Sequence, residues 1–225
     1  MDKTDLRLTE TSDGSHTLFV PLLNEHYHSV NGAVNESMIV FIRNGYEFCR
    51  ANPLNILEIG LGTGLNALLT LMRSVSEKRR VNYTAIEKYP LDDGILSALN
   101  HSSFAGNDGV MLSKLIHSAE WNRQTQLNDY FILTKIMSDF VTDEIPGFFD
   151  LVYFDAFGPE KQPEMWDEAL FRKIACSLNE PGVLVTYSVK GSVKRALKAS
   201  GFSIELLKGP PGKREVLRAV KKTLK

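Results

Sequence analysis

The chain has 225 residues, 43% of them hydrophobic and 24% charged, with a formal net charge of −1, which suits one α/β core in one globular unit. Cys49 and Cys176 are far apart, with no Cys-x-x-Cys or Cys/His cluster, so a disulfide framework and a zinc site are not expected and free thiols in a reducing cytoplasm are. No apolar run approaches the roughly 18 residues of a membrane span, and the start, Met1-Asp2-Lys3-Thr4-Asp5, is charged with no apolar stretch behind it, so neither membrane insertion nor secretion is expected.

The first elements predicted are a hairpin, Leu6 to Glu10 and His16 to Val20, turning through Ser12-Asp13-Gly14-Ser15,. In Glu25-His26-Tyr27-His28-Ser29 the two histidines have no third ligand at metal spacing, so loop hydrogen bonding is the expectation for them. Met38, Ile39, Phe41, Ile42 and Tyr46 recur on a helical stripe, which predicts a helix over Asn35 to Arg50. Residues 1–50 are thus expected to form a hairpin and helix packed on a core domain of residues 51–225.

The core opens on Leu54 to Ile59, a buried strand, followed by Gly60-Leu61-Gly62-Thr63-Gly64 and then by Leu65, Leu68, Leu69 and Met72 at helical spacing. Three alternating glycines at a strand-to-helix turn let backbone and a helix N-terminus come close to a ligand. A dinucleotide fingerprint, Gly-x-Gly-x-x-Gly, needs glycine at position 65 or 67, and these are Leu65 and Ala67. Glu58-x-Gly60-x-Gly62-x-Gly64 instead resembles the first motif of S-adenosylmethionine-dependent methyltransferases. The next strand, Val81 to Glu87, ends in a carboxylate that can accept both ribose hydroxyls in either cofactor class.

Helices are predicted near Asp92 to Leu99 and Val110 to Trp121, strands over Tyr130 to Met137 and Phe149 to Phe154, and a helix over Pro163 to Leu178. A strand from Val183 to Ser188, a helix from Val193 to Ser200, and strands over Phe202 to Leu207 and Glu215 to Val220 complete the pattern. Alternating strand and helix predict a mainly parallel sheet covered on both faces, with ligands at the carboxyl ends of its strands. The final pair, separated by Lys208-Gly209-Pro210-Pro211-Gly212, resembles the antiparallel edge of methyltransferase sheets.

Two strand ends carry further acids. Asp139 follows the third core strand, where methyltransferases often place an acid on the adenine amino group; helix capping or an Asx turn is the other reading. Asp155, between Val152-Tyr153-Phe154 and Ala156-Phe157-Gly158-Pro159, stands where substrate and cofactor would meet.

From Thr186 onward the chain has eleven lysines and arginines against two acids, a local charge of +9 that leaves −10 on the first 185 residues. That asymmetry suggests a polyanion-binding face on an acidic body, or a solvated helix with a basic tail in which Lys221, Lys222 and Lys225 take part.

Together these residues resemble the tRNA wobble-uridine methyltransferase family MnmD, which is similar to the N-terminal methyltransferase half of bifunctional bacterial MnmC. The resemblance covers most of the chain: Asn31-Gly32-Ala33 with Glu36, the Glu58 to Asn66 loop, Glu87-Lys88-Tyr89-Pro90-Leu91, Asp155-x-Phe157-x-Pro159-x-Lys161-x-Pro163-x-Met165-Trp166, and Pro181-Gly182. It continues through Gly191-x-Val193-Lys194-Arg195-x-Leu197 and Gly201-Phe202 to Lys213-Arg214-Glu215. One departure is Ser138 before Asp139, where glycine is often found.

The resemblance implies a Rossmann-like class I methyltransferase with a seven-stranded, mainly parallel sheet and an antiparallel edge. It implies S-adenosylmethionine as cofactor, held by Glu58, Gly60, Gly62, Gly64, Asn66, Glu87, Lys88 and Asp139, with no metal. The reaction implied is N-methylation of 5-aminomethyl-2-thiouridine in the tRNA anticodon, in the cytoplasm; a small-molecule or protein amine is the alternative substrate. A second glycine-rich fingerprint for a flavin-dependent half is lacking, so processing of the carboxymethylated precursor is not expected.

Asp155 is expected to hold and orient the amine and to take its proton directly or through water. A lysine-like alkylamine of pKa near ~10.4 costs about 4 to 5 kcal/mol to neutralise at pH 7. Phe157 and Tyr27 are expected to stack on the extruded base, Glu36 to face the substrate, and Lys190, Lys194, Arg195, Lys213 and Arg214 to meet phosphates,.

Overall fold

The computed structural model describes residues 6–222, so the Met1 to Asp5 segment and Lys225 lie outside the described residues. At its centre is an eight-stranded sheet of order β10-β11-β9-β8-β4-β5-β7-β6. Its strands are β4 (Leu54–Ile59), β5 (Val81–Glu87), β6 (Arg123–Asn128), β7 (Phe131–Met137), β8 (Phe149–Phe154), β9 (Leu178–Thr186), β10 (Phe202–Lys208) and β11 (Glu215–Lys221). Neighbours from β7 through β5, β4 and β8 to β9 run parallel. β11 is antiparallel to both β9 and β10, the edge the sequence leads one to expect.

The helices are α1 (Ala33–Ser37), α2 (Leu65–Glu77), α3 (Asp93–Ala98), α4 (Gly109–Ser118), α5 (Glu168–Ser177) and α6 (Gly191–Ala199). Alternation along the central strands sends successive side chains to opposite faces. Ile56, Leu151 and Tyr153 join a cluster with Phe41, Leu65, Leu68, Leu69, Leu112 and Ile116. Leu57, Ile59, Val152 and Phe154 join a second with Trp166, Leu170, Phe171, Ile174, Val193 and Leu197. Both faces of the parallel strands are therefore buried, which is why β4 and β8 read as near-continuous apolar runs.

Several boundaries differ from expectation. An eighth strand, β6, extends the sheet beyond the seven expected by pairing antiparallel with β7; its sequence, Arg-Gln-Thr-Gln-Leu-Asn, is mostly polar and has no fully buried residue, as suits an edge strand. The helix expected from Asn35 begins at Ala33 as α1 and continues as a π-helical stretch, Met38–Tyr46. The helix expected from Pro163 is broken: a 3-10 turn, Pro163–Trp166, gives way to α5 where the Asp167 carboxylate accepts from Leu170 N at 2.8 Å, an N-cap.

The N-terminal residues form a separate three-stranded antiparallel sheet, β1 (Arg7–Glu10), β2 (His16–Val20) and β3 (Glu25–His26). It is tied to the body by His16 N donating to Asn100 Oδ1 at 2.8 Å and Asn100 Nδ2 donating to Gly14 O at 2.8 Å. Beyond β3, the His28 ring meets the Thr63 hydroxyl at 2.8 Å. The N-terminal sheet thereby stands against the glycine loop and supplies one wall of the site. Among the described residues no helix is long and apolar enough to cross a membrane.

Candidate active site

The carboxyl ends of β4, β5, β7, β8 and β9 converge on one cavity of about 950 Å³, near the upper end of small-molecule pockets. Its lining comes from the segments after those strands: Gly60 and Gly62, Glu87 and Lys88, Asp139 to Val141, Asp155 to Gln162, and Tyr187 to Lys190. Residues 25–30 and Glu36 close it from the N-terminal side, and Lys213 to Glu215 from the last hairpin.

The glycine loop needs glycine on steric grounds. Gly60 has φ +88° and Gly62 φ +50°, backbone that disfavours a side chain. A Cβ on Gly60 would lie 2.9 Å from the carbonyl oxygen of Asp155, and one on Gly62 would lie 3.0 Å from the Tyr27 ring. Close approach of β4 to the Asp155 loop and of Tyr27 to the glycines therefore depends on the missing side chains. Gly64, at φ +76°, ends the turn at the start of α2, against Ile116 and His117 of α4.

Glu58, Gly64 and Asn66 lie outside the cavity lining. Glu58 has 0% exposure, and burial pushes its carboxyl well above the usual carboxylate range,. Asn66 Nδ2 donates to Glu58 Oε1 at 3.0 Å and to Asp155 Oδ2 at 2.8 Å. The acid before the first glycine thus anchors an amide that holds Asp155.

Glu87, at the end of β5, accepts Gly62 N at 3.0 Å on one oxygen and Tyr89 N at 2.8 Å on the other, so each oxygen keeps acceptor capacity. Lys88 Nζ donates to Asp139 Oδ2 at 2.7 Å, and Val141 N donates to Asp139 Oδ1 at 3.0 Å. The Lys88 hydrogen bond holds the Asp139 carboxyl below its ordinary value. Carboxyl acceptors thus stand at the ends of two adjacent parallel strands, with Ile59, Ile86, Phe140 and Val141 supplying apolar wall between them.

Asp155 is half-buried. Burial and then the nearby charge of Glu36 push its carboxyl up to about 7, against the opposing pull of the Asn66 hydrogen bond and Lys213. Glu36, 6% exposed, accepts Ser29 N at 2.9 Å and pairs with Lys213. Tyr27 and Phe157 meet edge to face, their ring centroids 5.1 Å apart. Trp166 Nε1 donates to Phe157 O at 2.8 Å, which fixes the Phe157 backbone from the α5 side.

The basic residues divide into separate groups. Lys213 and Arg214 line the cavity, as does Lys190, which pairs with Glu160 at an exposed rim. Lys194 and Arg195 lie on α6 outside it, Arg195 exposed and Lys194 partly so. Tyr187 and His28 also belong to the site. Tyr187 donates to Ala156 O at 2.8 Å and carries Lys213 over its ring; its position after β9 is the signal that could have found it. His28 is buried and its ring is pushed down to about 3 by burial, so it meets Thr63 as a neutral group. Among the described residues no cluster of His, Cys, Asp and Glu could hold a metal ion.

The site fits S-adenosylmethionine by the chemistry of its donor set: side-chain-free glycines, hydrogen-bond-accepting carboxyl groups after β5 and β7, and apolar wall between. Comparison with known proteins agrees. A family described as S-adenosyl-L-methionine-dependent methyltransferase matches residues 109–222. The chain is 30% identical over 217 residues to the tRNA 5-methylaminomethyl-2-thiouridine biosynthesis bifunctional protein MnmC of Magnetococcus marinus, covering 91% of this chain and 32% of that protein. The protein of the same name from Paraburkholderia xenovorans is 28% identical over 89% of this chain and 33% of its own length. The chain thus spans about a third of the length of these relatives. The crystal structure of MNMC2 from Aquifex aeolicus superposes with a TM-score of 0.78 at 24% identity, covering 99% of this chain and 72% of that one. With the strand order, the glycine turn and the match over residues 109–222 all in agreement, the chain belongs to the S-adenosyl-L-methionine-dependent methyltransferase family.

Proposed function

We propose that this methyltransferase acts on tRNA, converting 5-aminomethyl-2-thiouridine at the wobble position to 5-methylaminomethyl-2-thiouridine, and that it does so in the cytoplasm. The observation that carries the reading is Asp155: a carboxyl held near neutrality beside the glycine loop, in a cavity that also presents Tyr27, Phe157 and Glu36. The relatives' names give tRNA and 5-methylaminomethyl-2-thiouridine, the product on this reading.

When bound, S-adenosylmethionine supplies an electrophilic methyl group on a sulfonium. Glu87 accepts the ribose hydroxyls with the capacity its two backbone hydrogen bonds leave free, and Asp139, kept ionised by Lys88, accepts the adenine amino group. Glu58, Gly64 and Asn66 act from below, setting the loop and the Asp155 carboxyl. Tyr27 and Phe157 offer ring faces to a base drawn out of its stack,. Lys190, Lys194, Arg195 and Arg214 provide positive charge around the opening for the phosphates,.

Asp155 does the proton chemistry. A base works best with a pKa near the working pH, and Asp155 sits at about 7. As an anion it binds the incoming ammonium, takes its proton and leaves a neutral nitrogen aligned for in-line displacement. The test is transfer from labelled S-adenosylmethionine to bulk tRNA from cells that make the aminomethyl base but do not methylate it, followed by nucleoside analysis. Label in 5-methylaminomethyl-2-thiouridine is expected. Absence of label from every nucleoside, with cofactor binding intact, would reject the tRNA reading in favour of a small-molecule or protein amine.

A further inference from the structure

Lys213 stands apart from the other basic residues of the C-terminal segment. Its ammonium pairs with Glu36, whose side chain is 8% exposed, and lies 4.1 Å from the centroid of the Tyr187 ring. Tyr187 is itself pinned to Ala156 O, next in sequence to Asp155. A lysine placed to meet phosphates is best left solvated at a rim. This one is clamped between a buried carboxylate and an aromatic face inside the cavity, at the wall where Asp155 stands.

The wall has an electrostatic problem to solve. The amine reaches it as an ammonium, and the anions of Asp155 and Glu36 both favour that form, whereas the methyl group can be accepted only by a nitrogen with a free lone pair. We propose that Lys213 acts in the chemical step: fixed by Glu36 and Tyr187 beside Asp155, its positive charge opposes a second ammonium at that wall and drives the bound amine to release its proton. This rests on the amine-methylating reading above and deepens it. The proton passes from nitrogen to Asp155 or to water. The nitrogen lone pair then forms the new N–CH3 bond as the S–CH3 bond breaks, and that bonding pair stays on sulfur as a thioether. The product leaves as a secondary ammonium.

The charges that act on Lys213 are Glu36 from α1, its ion-pair partner, and Asp155 from the loop after β8; Arg214 and Glu215 follow it on its own segment and line the same cavity. Tyr187, after β9, stays neutral because burial raises its hydroxyl; His28 stays neutral because burial lowers its ring, the charge of Lys213 adding to that effect. Glu25 lines the same cavity. Since Lys213 and Glu36 cancel, removing Lys213 makes the wall more negative by one charge and stabilises the ammonium.

The test is kcat against pH at saturating tRNA, which reports groups in the bound complex. Lys213→Met should move the acidic limb up by about 1 to 3 pH units, the usual reach of a neighbouring charge. The rate at pH 7 should then fall about 10- to 1,000-fold and converge on the unsubstituted enzyme in alkali. Lys213→Arg, which keeps the charge, should restore the profile, with S-adenosylmethionine binding by calorimetry confirming that both variants fold. An unmoved limb, with a raised KM for tRNA and a flatter salt dependence, would overturn the proposal and make Lys213 a phosphate contact. Failure of the unsubstituted enzyme to label tRNA would instead sink the substrate reading and this proposal together.

Discussion

The side-chain amide of Asn66 donates to Asp155 Oδ2 at 2.8 Å, joining the first turn of α2 to the carboxyl at the end of β8. The same nitrogen donates to Glu58, so one amide is shared between two acids, of which one faces the cavity. This bond favours the ionised form of Asp155 against burial and Glu36. A hydrogen bond to a charged group contributes about 1.5 to 3 kcal/mol, which corresponds to about 1 to 2 pH units. Asn66→Ala should therefore move the acidic limb of methyl transfer upward by that amount. A midpoint unchanged in the pH–rate profile would show that Asn66 does not tune Asp155.

Asp155 itself should cost the fold stability. Its folded carboxyl sits at about 7 against an ordinary 3.8. Between those values the folded chain holds a proton that the unfolded chain has released, so this group's contribution to stability falls as pH rises through the window. Asp155→Asn should melt with the unsubstituted protein at pH 4 and several degrees above it at pH 8, at about 2 to 4 °C per kcal/mol. Its turnover should fall about 100- to 10,000-fold, with cofactor affinity nearly unchanged. Equal melting temperatures at pH 8 would mean that the carboxyl is not strained by burial.

Much of this arrangement is legible in the sequence because strand ends and glycine turns are local features. Gly60, Gly62, Glu87, Asp139 and Asp155 each follow an apolar run, and a parallel sheet brings the ends of its strands to one edge whatever the loops between them do. Glu58 shows where that logic stops. It lies next to Ile59 in the chain, but the pleat turns its side chain under the floor, onto Asn66. The Lys213–Glu36 pair joins positions 177 residues apart, and no spacing rule contains it. The π-helical stretch is equally hidden: Glu47 N donates to Ile42 O at 2.9 Å, five residues back, while the apolar stripe reads the same as that of an α-helix. β6 escapes notice because an exposed edge strand needs no apolar alternation.

Gly60 and Gly62, two of the glycines that line the cavity, should respond differently to alanine. A Cβ at Gly60 meets backbone, the Asp155 carbonyl at 2.9 Å, in a left-handed conformation. Strain of that kind costs about 1 to 3 kcal/mol, and any relief would displace Asp155. Gly62 shares the positive φ, but a Cβ there meets a side chain, the Tyr27 ring at 3.0 Å, and not backbone. Gly60→Ala should lower the melting temperature and turnover together. Gly62→Ala should melt closer to the unsubstituted protein, with its main loss in KM for tRNA. Equal effects of both on stability, measured by thermal melts, would reject the distinction.

Charge reversal on α6 should separate RNA attachment from chemistry. Lys194 and Arg195 stand outside the cavity, so on the proposed reading they would meet the backbone of a bound RNA without facing the reacting amine. For every phosphate no longer neutralised, the slope of log affinity against log salt should shrink by about 0.7 to 0.9. Lys194→Glu with Arg195→Glu should weaken tRNA binding most at low salt, leave S-adenosylmethionine affinity alone, and leave the pH dependence of kcat where it was. That pattern is the converse of the one expected at Lys213, where charge acts on the bound amine. Filter binding across a salt series, read beside kcat–pH profiles, checks both halves. An unaltered salt slope would show that the positive charge of α6 faces only solvent, and that the RNA is gripped elsewhere around the opening.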